Sequence, residues 1–186
     1  MQRTPLLVRL GAPVRSAVYR GGITLLNTTL NPAQDPILAY LAAPEGAVLA
    51  LIAGTEGPSY RPVGATMAVF SEDTRAGTLS SGCIENDIAV HAMRVRDEGQ
   101  PRMLRYGRGS PFIDIQLPCG GGRDILLLPT PDRAALTQLA ENRDARLPST
   151  LEVEIASGTM RLLETGEAGR EGALLRVRSA PDLRVL

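Results

Sequence analysis

Lysine and tryptophan are absent from this chain, histidine occurs once, and aromatic side chains make up only 3% of its 186 residues. Without lysine there is neither a Schiff-base amine nor a P-loop amine. All 20 basic residues are arginines, whose planar forks suit phosphate and other oxyanions. The single histidine, His91, argues against a zinc site of ordinary composition; it falls on the apolar face of a helical pattern and reads as a packed side chain. Few aromatics leave few stacking platforms for single-stranded nucleic acid. The arginines are scattered at zero formal net charge, so no nucleic-acid face is indicated. No apolar run reaches the roughly eighteen residues of a membrane helix, and no charged-then-apolar signal opens the chain. With only two cysteines and no secretory signal, a reducing cytoplasm is the expected compartment, with a Cys83–Cys119 disulfide left open as an alternative.

Those two cysteines mark the most informative stretches. The first is Gly77-Thr78-Leu79-Ser80-Ser81-Gly82-Cys83-Ile84-Glu85-Asn86-Asp87, and the second is Leu117-Pro118-Cys119-Gly120-Gly121-Gly122. Each cysteine sits beside glycine, which lets backbone N–H groups approach a ligand closely. A helical pattern follows Cys83, with Ile84, Ile88, Ala92 and Val95 on one face and Glu85 and Asp87 in the first turn. A thiol at that point feels the positive end of the helix, which favours a nucleophile or a soft metal ligand.

The remaining pattern predicts a mixed α/β fold: a central mixed β-sheet with flanking helices, plus a small antiparallel C-terminal β appendage. Residues 1–34 carry Arg3, Arg9, Arg15 and Arg20 without an acidic residue and read as an accessory lead-in. Asn31-Pro32 predicts the start of a short helix that ends near Pro44. Residues 46–53 form a continuous apolar run, the pattern of a buried strand. Residues 54–64 are a Gly- and Pro-rich loop whose one cation is Arg61, and a second strand follows over 64–71. A short strand is expected around Thr78 and Leu79, then the Cys83 helix, closed by Gly99. Further strands are expected over 102–106, 112–117 and 124–128, and a helix from Pro131 to Asn142. After Pro148 the texture changes to alternating strands over 151–155 and 174–178. The expected units are thus 1–34, 35–147 and 148–186.

Three segments, Gly57-Pro58-Ser59-Tyr60-Arg61-Pro62-Val63-Gly64-Ala65, Leu79-Ser80-Ser81-Gly82-Cys83-Ile84-Glu85 and Pro118-Cys119-Gly120-Gly121-Gly122, together resemble the motifs of the XdhC/CoxI family. These are maturation factors of xanthine dehydrogenase and carbon monoxide dehydrogenase. The resemblance runs from about Asp35 to Pro131, and departs from the usual pattern at Tyr60, where proline is more frequent. It implies a non-enzymatic cytoplasmic chaperone, commonly a homodimer, that binds molybdenum cofactor (molybdopterin), holds it for sulfuration and delivers it to a molybdenum hydroxylase apoenzyme. A cysteine desulfurase is the implied second partner. Family members usually continue into a C-terminal Rossmann domain; Leu183-Arg184-Val185-Leu186 falls where its first strand would begin, and no dinucleotide fingerprint is present.

Molybdenum cofactor offers a thiolate-seeking metal and a phosphate that suits arginine and backbone N–H groups. On this chemistry Cys119 is the candidate nearest molybdenum, followed by Cys83. Arg61 is the candidate anion ligand, Ser81, Gly82, Gly120, Gly121 and Gly122 are further contacts, and Glu85 is a proton carrier or a cap. Blander readings stand beside these: buried structural cysteines, glycines that only make turns, a solvated Arg61, and a Glu85 that only complements the helix dipole. A different class of function is a cysteine-dependent sulfurtransferase or hydrolase using Cys83 or Cys119. Such an enzyme needs an adjacent base, and His91 lies about two helical turns from Cys83. A purely structural or oligomerising module is the third reading.

Overall fold

In the computed structural model, residues 17–18, 24–25, 35–43, 45–111, 117–118 and 120–179 are described. Cys119, most of the lead-in, most of the strand expected at 112–117 and the terminal segment 183–186 lie outside them. Within the lead-in, β1 (Ala17–Val18) and β2 (Thr24–Leu25) pair antiparallel.

The first helix, α1 (Pro36–Ala42), starts later than the Asn31-Pro32 pattern suggests. Its cap is Asp35, whose carboxylate accepts from the N–H groups of Ile37 and Leu38 at 2.9 and 3.1 Å, with Pro36 in the first turn. Five strands then build the central sheet: β3 (Val48–Glu56), β4 (Thr66–Val69), β5 (Arg75–Gly77), β6 (Arg102–Gly107) and β7 (Gly122–Leu128). Their spatial order is β5-β4-β3-β7-β6. The strand expected at Thr78 and Leu79 is instead β5, three residues earlier, and those two residues belong to the turn that follows it.

Every neighbouring pair in this sheet is antiparallel, which corrects the expected mixed sheet. The expectation arose because helix α2 (Glu85–Glu98) separates two strands, as in a parallel crossover. That helix does join strands of the same direction, β5 and β6, but it carries the chain from one sheet edge to the other. The two strands never become neighbours.

The run at 48–53 is continuously apolar because both faces of β3 are covered. Val48, Ala50 and Ile52 face one cluster, which they share with Met67, Val69, Ile125, Leu127 and the α2 residues Ile88, Ala89, Ala92 and Val95. Leu49, Leu51 and Ala53 face the other, with Ala68, Leu126 and Leu128. Each fully buried Leu or Ile contributes about 1.5–3 kcal/mol. The second cluster is closed by α1, by α3 (Arg133–Asp144) and by a second sheet.

That second sheet contains β8 (Ser149–Glu154), β9 (Met160–Leu163), β10 (Gly169–Glu171) and β11 (Leu174–Ser179), ordered β10-β11-β8-β9 and antiparallel throughout. The antiparallel unit expected after Pro148 is therefore present, with β9 and β10 added to the two strands read from the sequence. Leu151, Val153, Met160 and Leu175 lie in the same cluster as Leu49 and Leu126, so the two sheets share one core.

The end of β6 meets the loop before β7 so closely that a side chain does not fit. A Cβ placed on Gly107, where φ is +73°, would lie 2.1 Å from the carbonyl oxygen of Gly121. Gly107→Ala is expected to destabilise the fold by about 2 kcal/mol or more, through clash and left-handed strain. A lower urea midpoint at unchanged slope is the expected result. An unchanged midpoint would contradict the close approach.

Candidate functional site

Strand register decides where the three motifs meet. Strand β3 ends at Glu56, opposite Gly122 at the start of β7, and β6 ends at Gly107, also opposite Gly122. On the other side, Gly77 at the end of β5 pairs with Met67, the second residue of β4. Loops 57–65, 78–84 and 108–121 therefore all leave the same end of the central sheet. The motifs are far apart in sequence, and antiparallel pairing alone gathers them on one rim. Contacts tie two of the loops together. A Cβ on Gly57 would lie 3.6 Å from the Cα of Gly121, and one on Gly121 would meet the carbonyl oxygens of Pro58 and Glu56 at 2.5 and 2.8 Å.

The turn 78–84 is built around Glu85. This residue is 2% exposed, and its carboxylate accepts six hydrogen bonds. Oε1 accepts from the Thr78 hydroxyl at 2.5 Å and from the N–H groups of Leu79 and Ser80 at 2.9 and 2.7 Å. Oε2 accepts from the Ser80 hydroxyl at 2.5 Å and from the N–H groups of Gly82 and Ile84 at 2.9 and 3.2 Å. Burial would raise the pKa of this carboxyl, but the bonds from Ser80, Thr78 and the turn amides outweigh it and hold the pKa at about 2. Glu85 is thus a charged plug inside the turn, and its oxygens are fully engaged by the chain itself. Glu85 is the first residue of α2, whose N-cap position is Ile84, and its carboxylate folds back onto the amides and hydroxyls of the preceding turn, where it organises the backbone.

This plug leaves Ser81, Gly82 and Cys83 exposed on the outside of the turn. Ser81 adopts φ 64° and Gly82 φ 106°, and the Ser81 N–H is held by the Thr78 hydroxyl at 3.1 Å. Cys83 is a free thiol. On the neighbouring loop Gly120 is also exposed, whereas Gly121 and Gly122 are buried. The N–H of Gly82 goes to Glu85, and that of Gly120 goes to the carbonyl of Leu117 at 2.8 Å. What these two glycines offer outward is open space, since a Cβ on either would meet nothing within 4 Å.

The arginine side of the rim has a different character. Arg105 bridges Glu56 at 2.5 Å and Asp124 at 3.1 Å, and its Nε donates to the carbonyl of Arg108. Arg108 reaches the same Glu56 at 3.4 Å, and Arg170 of the second sheet reaches Asp124 at 3.7 Å. Arg61 is exposed and enters no ion pair among the described residues. Sequence reasoning missed Thr78, Ser80 and Arg105 as parts of this rim, and it missed the fully buried Arg123. The hydroxyl cluster ahead of Glu85 was the available signal for the first two; for Arg123 it was the position directly after the glycine triplet.

His91 does not stand beside Cys83. Its Nε2 lies 3.6 Å from Asp87, which also accepts from the Tyr106 hydroxyl at 2.6 Å. Burial, with the Asp87 bond added to it, pushes the Tyr106 phenol well above its ordinary range. Six residues of helical rise, about 9 Å, separate His91 from Glu85 at the start of α2, and Cys83 lies in the turn before that start, so this histidine is not placed as the base a cysteine nucleophile needs. Among the described residues no group of three or more His, Cys, Asp or Glu side chains is placed to hold a metal ion, and no helix is long and apolar enough to cross a membrane.

Residues 40–107 match the XdhC and CoxI family. The match contains the Arg61 loop and the Cys83 turn, two of the three motifs that carried the resemblance. The chain is 41% identical over 87 residues to the molybdenum cofactor insertion chaperone PaoD of Escherichia coli (strain K12), covering 47% of this chain and 27% of that protein. It is 37% identical over 84 residues to a probable xanthine dehydrogenase subunit of Bacillus subtilis (strain 168), covering 45% and 25%. The chain thus spans about a quarter of the length of these curated relatives. Its fold is similar to the crystal structure of a xanthine dehydrogenase from Bacillus halodurans, with a TM-score of 0.61 at 22% identity over 78% of this chain and 52% of that one. The match supports the mixed α/β architecture.

The Glu85 plug makes folding stability depend on acid. The folded-state pKa of about 2 lies below the ordinary 4.5, so this contribution is present above pH 4.5 and is lost as pH falls through about 2. The shift corresponds to about 3 kcal/mol. Urea midpoints of the wild-type chain should drop between pH 6 and pH 3 by roughly 2 kcal/mol in stability terms, and Glu85→Gln should flatten that dependence. An equally steep dependence in the variant would contradict the assignment.

Proposed function

We propose that this chain is the cofactor-holding part of a maturation chaperone rather than an enzyme. Its cargo is molybdenum cofactor, held for sulfuration and insertion into a xanthine dehydrogenase-type molybdenum hydroxylase. The observation that carries this reading is the convergence of loops 57–65, 78–84 and 108–121 on one end of the sheet. Support also comes from PaoD, whose name describes molybdenum cofactor insertion.

The described side chains fit such a cargo. An exposed thiol, Cys83, offers a soft ligand, and Arg61 is an exposed cation that enters no ion pair among the described residues. The open faces of Gly82 and Gly120 give a bulky ring system room to approach. In this reading Cys119 holds the molybdenum end, with Cys83 and Ser81 beside it, Arg61 binds the phosphate, and Gly121 and Gly122 fix the loop that carries Cys119. Glu85 acts through the turn. The unit responsible is 35–147, and the sheet of 148–179 braces the rim through Arg170 and Asp124. The apoenzyme and a cysteine desulfurase are the proposed partners, in the cytoplasm, with the chaperone acting as a homodimer.

The test is retention. The purified chain is incubated with freshly released molybdenum cofactor, desalted, and assayed for molybdenum and pterin. Wild type should retain both in stoichiometric amount, Cys119→Ala should lose them with its fold intact, and wild-type retention in that variant would overturn the role of Cys119. Arg61→Ala should weaken binding about tenfold at low salt, with the gap closing as salt rises, because the contact is to an anion. A salt-independent wild-type affinity would remove the argument for Arg61.

A further inference from the structure

A turn rich in glycine and hydroxyls ahead of a helix is ordinarily a receptor for an external anion, because its N–H groups point outward and the helix dipole adds to them. Here that receptor is already filled. The amides of Leu79, Ser80, Gly82 and Ile84 and the hydroxyls of Thr78 and Ser80 all donate to the Glu85 carboxylate, and the Ser81 amide donates to Thr78. A full negative charge therefore sits beneath Cys83, two residues along the chain. Asp87 in the same helical turn adds a second, partly exposed one. Arg75 on β5 donates to the neutral Asn86 side-chain oxygen at 2.8 Å.

We propose that Glu85 is a positioning residue that fills the 78–84 turn from within. The turn thereby presents Cys83 and Ser81 to a neutral, sulfur-seeking group and turns anions away toward the arginine side of the rim. Ser81 and Gly82 keep their left-handed conformation because the six bonds to one carboxylate hold the backbone on both sides of them. The consequence for the cargo, which rests on the cofactor reading above, is a fixed orientation: metal and sulfur end over the Cys83 turn, phosphate end at Arg61. The electrostatic selectivity of the turn itself requires no cofactor.

The experiment compares alkylation of Cys83 by neutral iodoacetamide and by anionic iodoacetate at low ionic strength, read peptide by peptide so that Cys119 is scored separately. A merely structural Glu85 would change both rates together, whereas a charge beneath the thiol changes their ratio. In the wild-type chain the ratio of iodoacetamide to iodoacetate rates at Cys83 should exceed that of an unstructured cysteine peptide by about threefold or more, and should shrink as salt is added. Glu85→Gln should bring the ratio most of the way to the peptide value, leaving the smaller part due to Asp87. A wild-type ratio equal to that of the peptide would overturn the proposal without any variant. So would an unchanged ratio in Glu85→Gln, or a complete loss of selectivity in Asp87→Asn alone. Failure of cofactor retention with the ratio intact would instead count against the cargo and leave the turn's selectivity standing.

Discussion

Six hydrogen bonds from five residues to one buried carboxylate determine the shape of the rim. Thr78, Leu79, Ser80, Gly82 and Ile84 share this anchor, and the turn they form connects the short edge strand β5 to α2, the helix packed over β3 and β7 of the central sheet. A buried carboxylate is tolerable only where its bonds exceed the cost of dehydration, and at Glu85 they do. The same arrangement exposes Cys83 as a consequence of local backbone geometry.

The glycine contacts on the other side of the rim are the counterpart of this plug. Strand β6 ends at Gly107 against the backbone of Gly121, and Gly121 in turn lies against the carbonyls of Glu56 and Pro58. Backbone meets backbone there with no room for side chains, so the loop that leads into β7 is seated on the end of β3. The ion network of Glu56, Arg105, Asp124, Arg108 and Arg170 lies around that seat and links it to the second sheet. Two different devices, an internal carboxylate and a glycine seat, thus support two adjoining parts of one surface.

The periodicity of α2 with its Gly99 terminus, the apolar run of β3 and the strand around 124–128 were legible in the sequence, because burial on one or both faces writes itself directly into the residue pattern. The all-antiparallel pairing was not. A helix between two strands has the same local signature whether it links neighbours or opposite edges, and only the register of distant strands distinguishes them. The shift of the third strand to Arg75–Gly77 has a local cause: Thr78 and Leu79 carry strand-like side chains, but the pull of Glu85 takes them into the turn. The gathering of Cys83 and Arg61 on one rim was suggested by family resemblance, whereas the part played by Thr78 and Ser80 is a tertiary fact about where one carboxylate points.

If the rim is the cargo site, molybdenum cofactor should slow amide hydrogen exchange there and leave the rest of the chain unchanged. Exchange measured by mass spectrometry on the wild-type chain, with and without the cofactor, tests this most directly. The account predicts added protection in peptides spanning 57–65, 78–84 and 117–122, with strands β8 to β11 unchanged. Protection confined to the second sheet or to α3 would place the cargo elsewhere and contradict the account, as would no protection under conditions where the chain retains the cofactor.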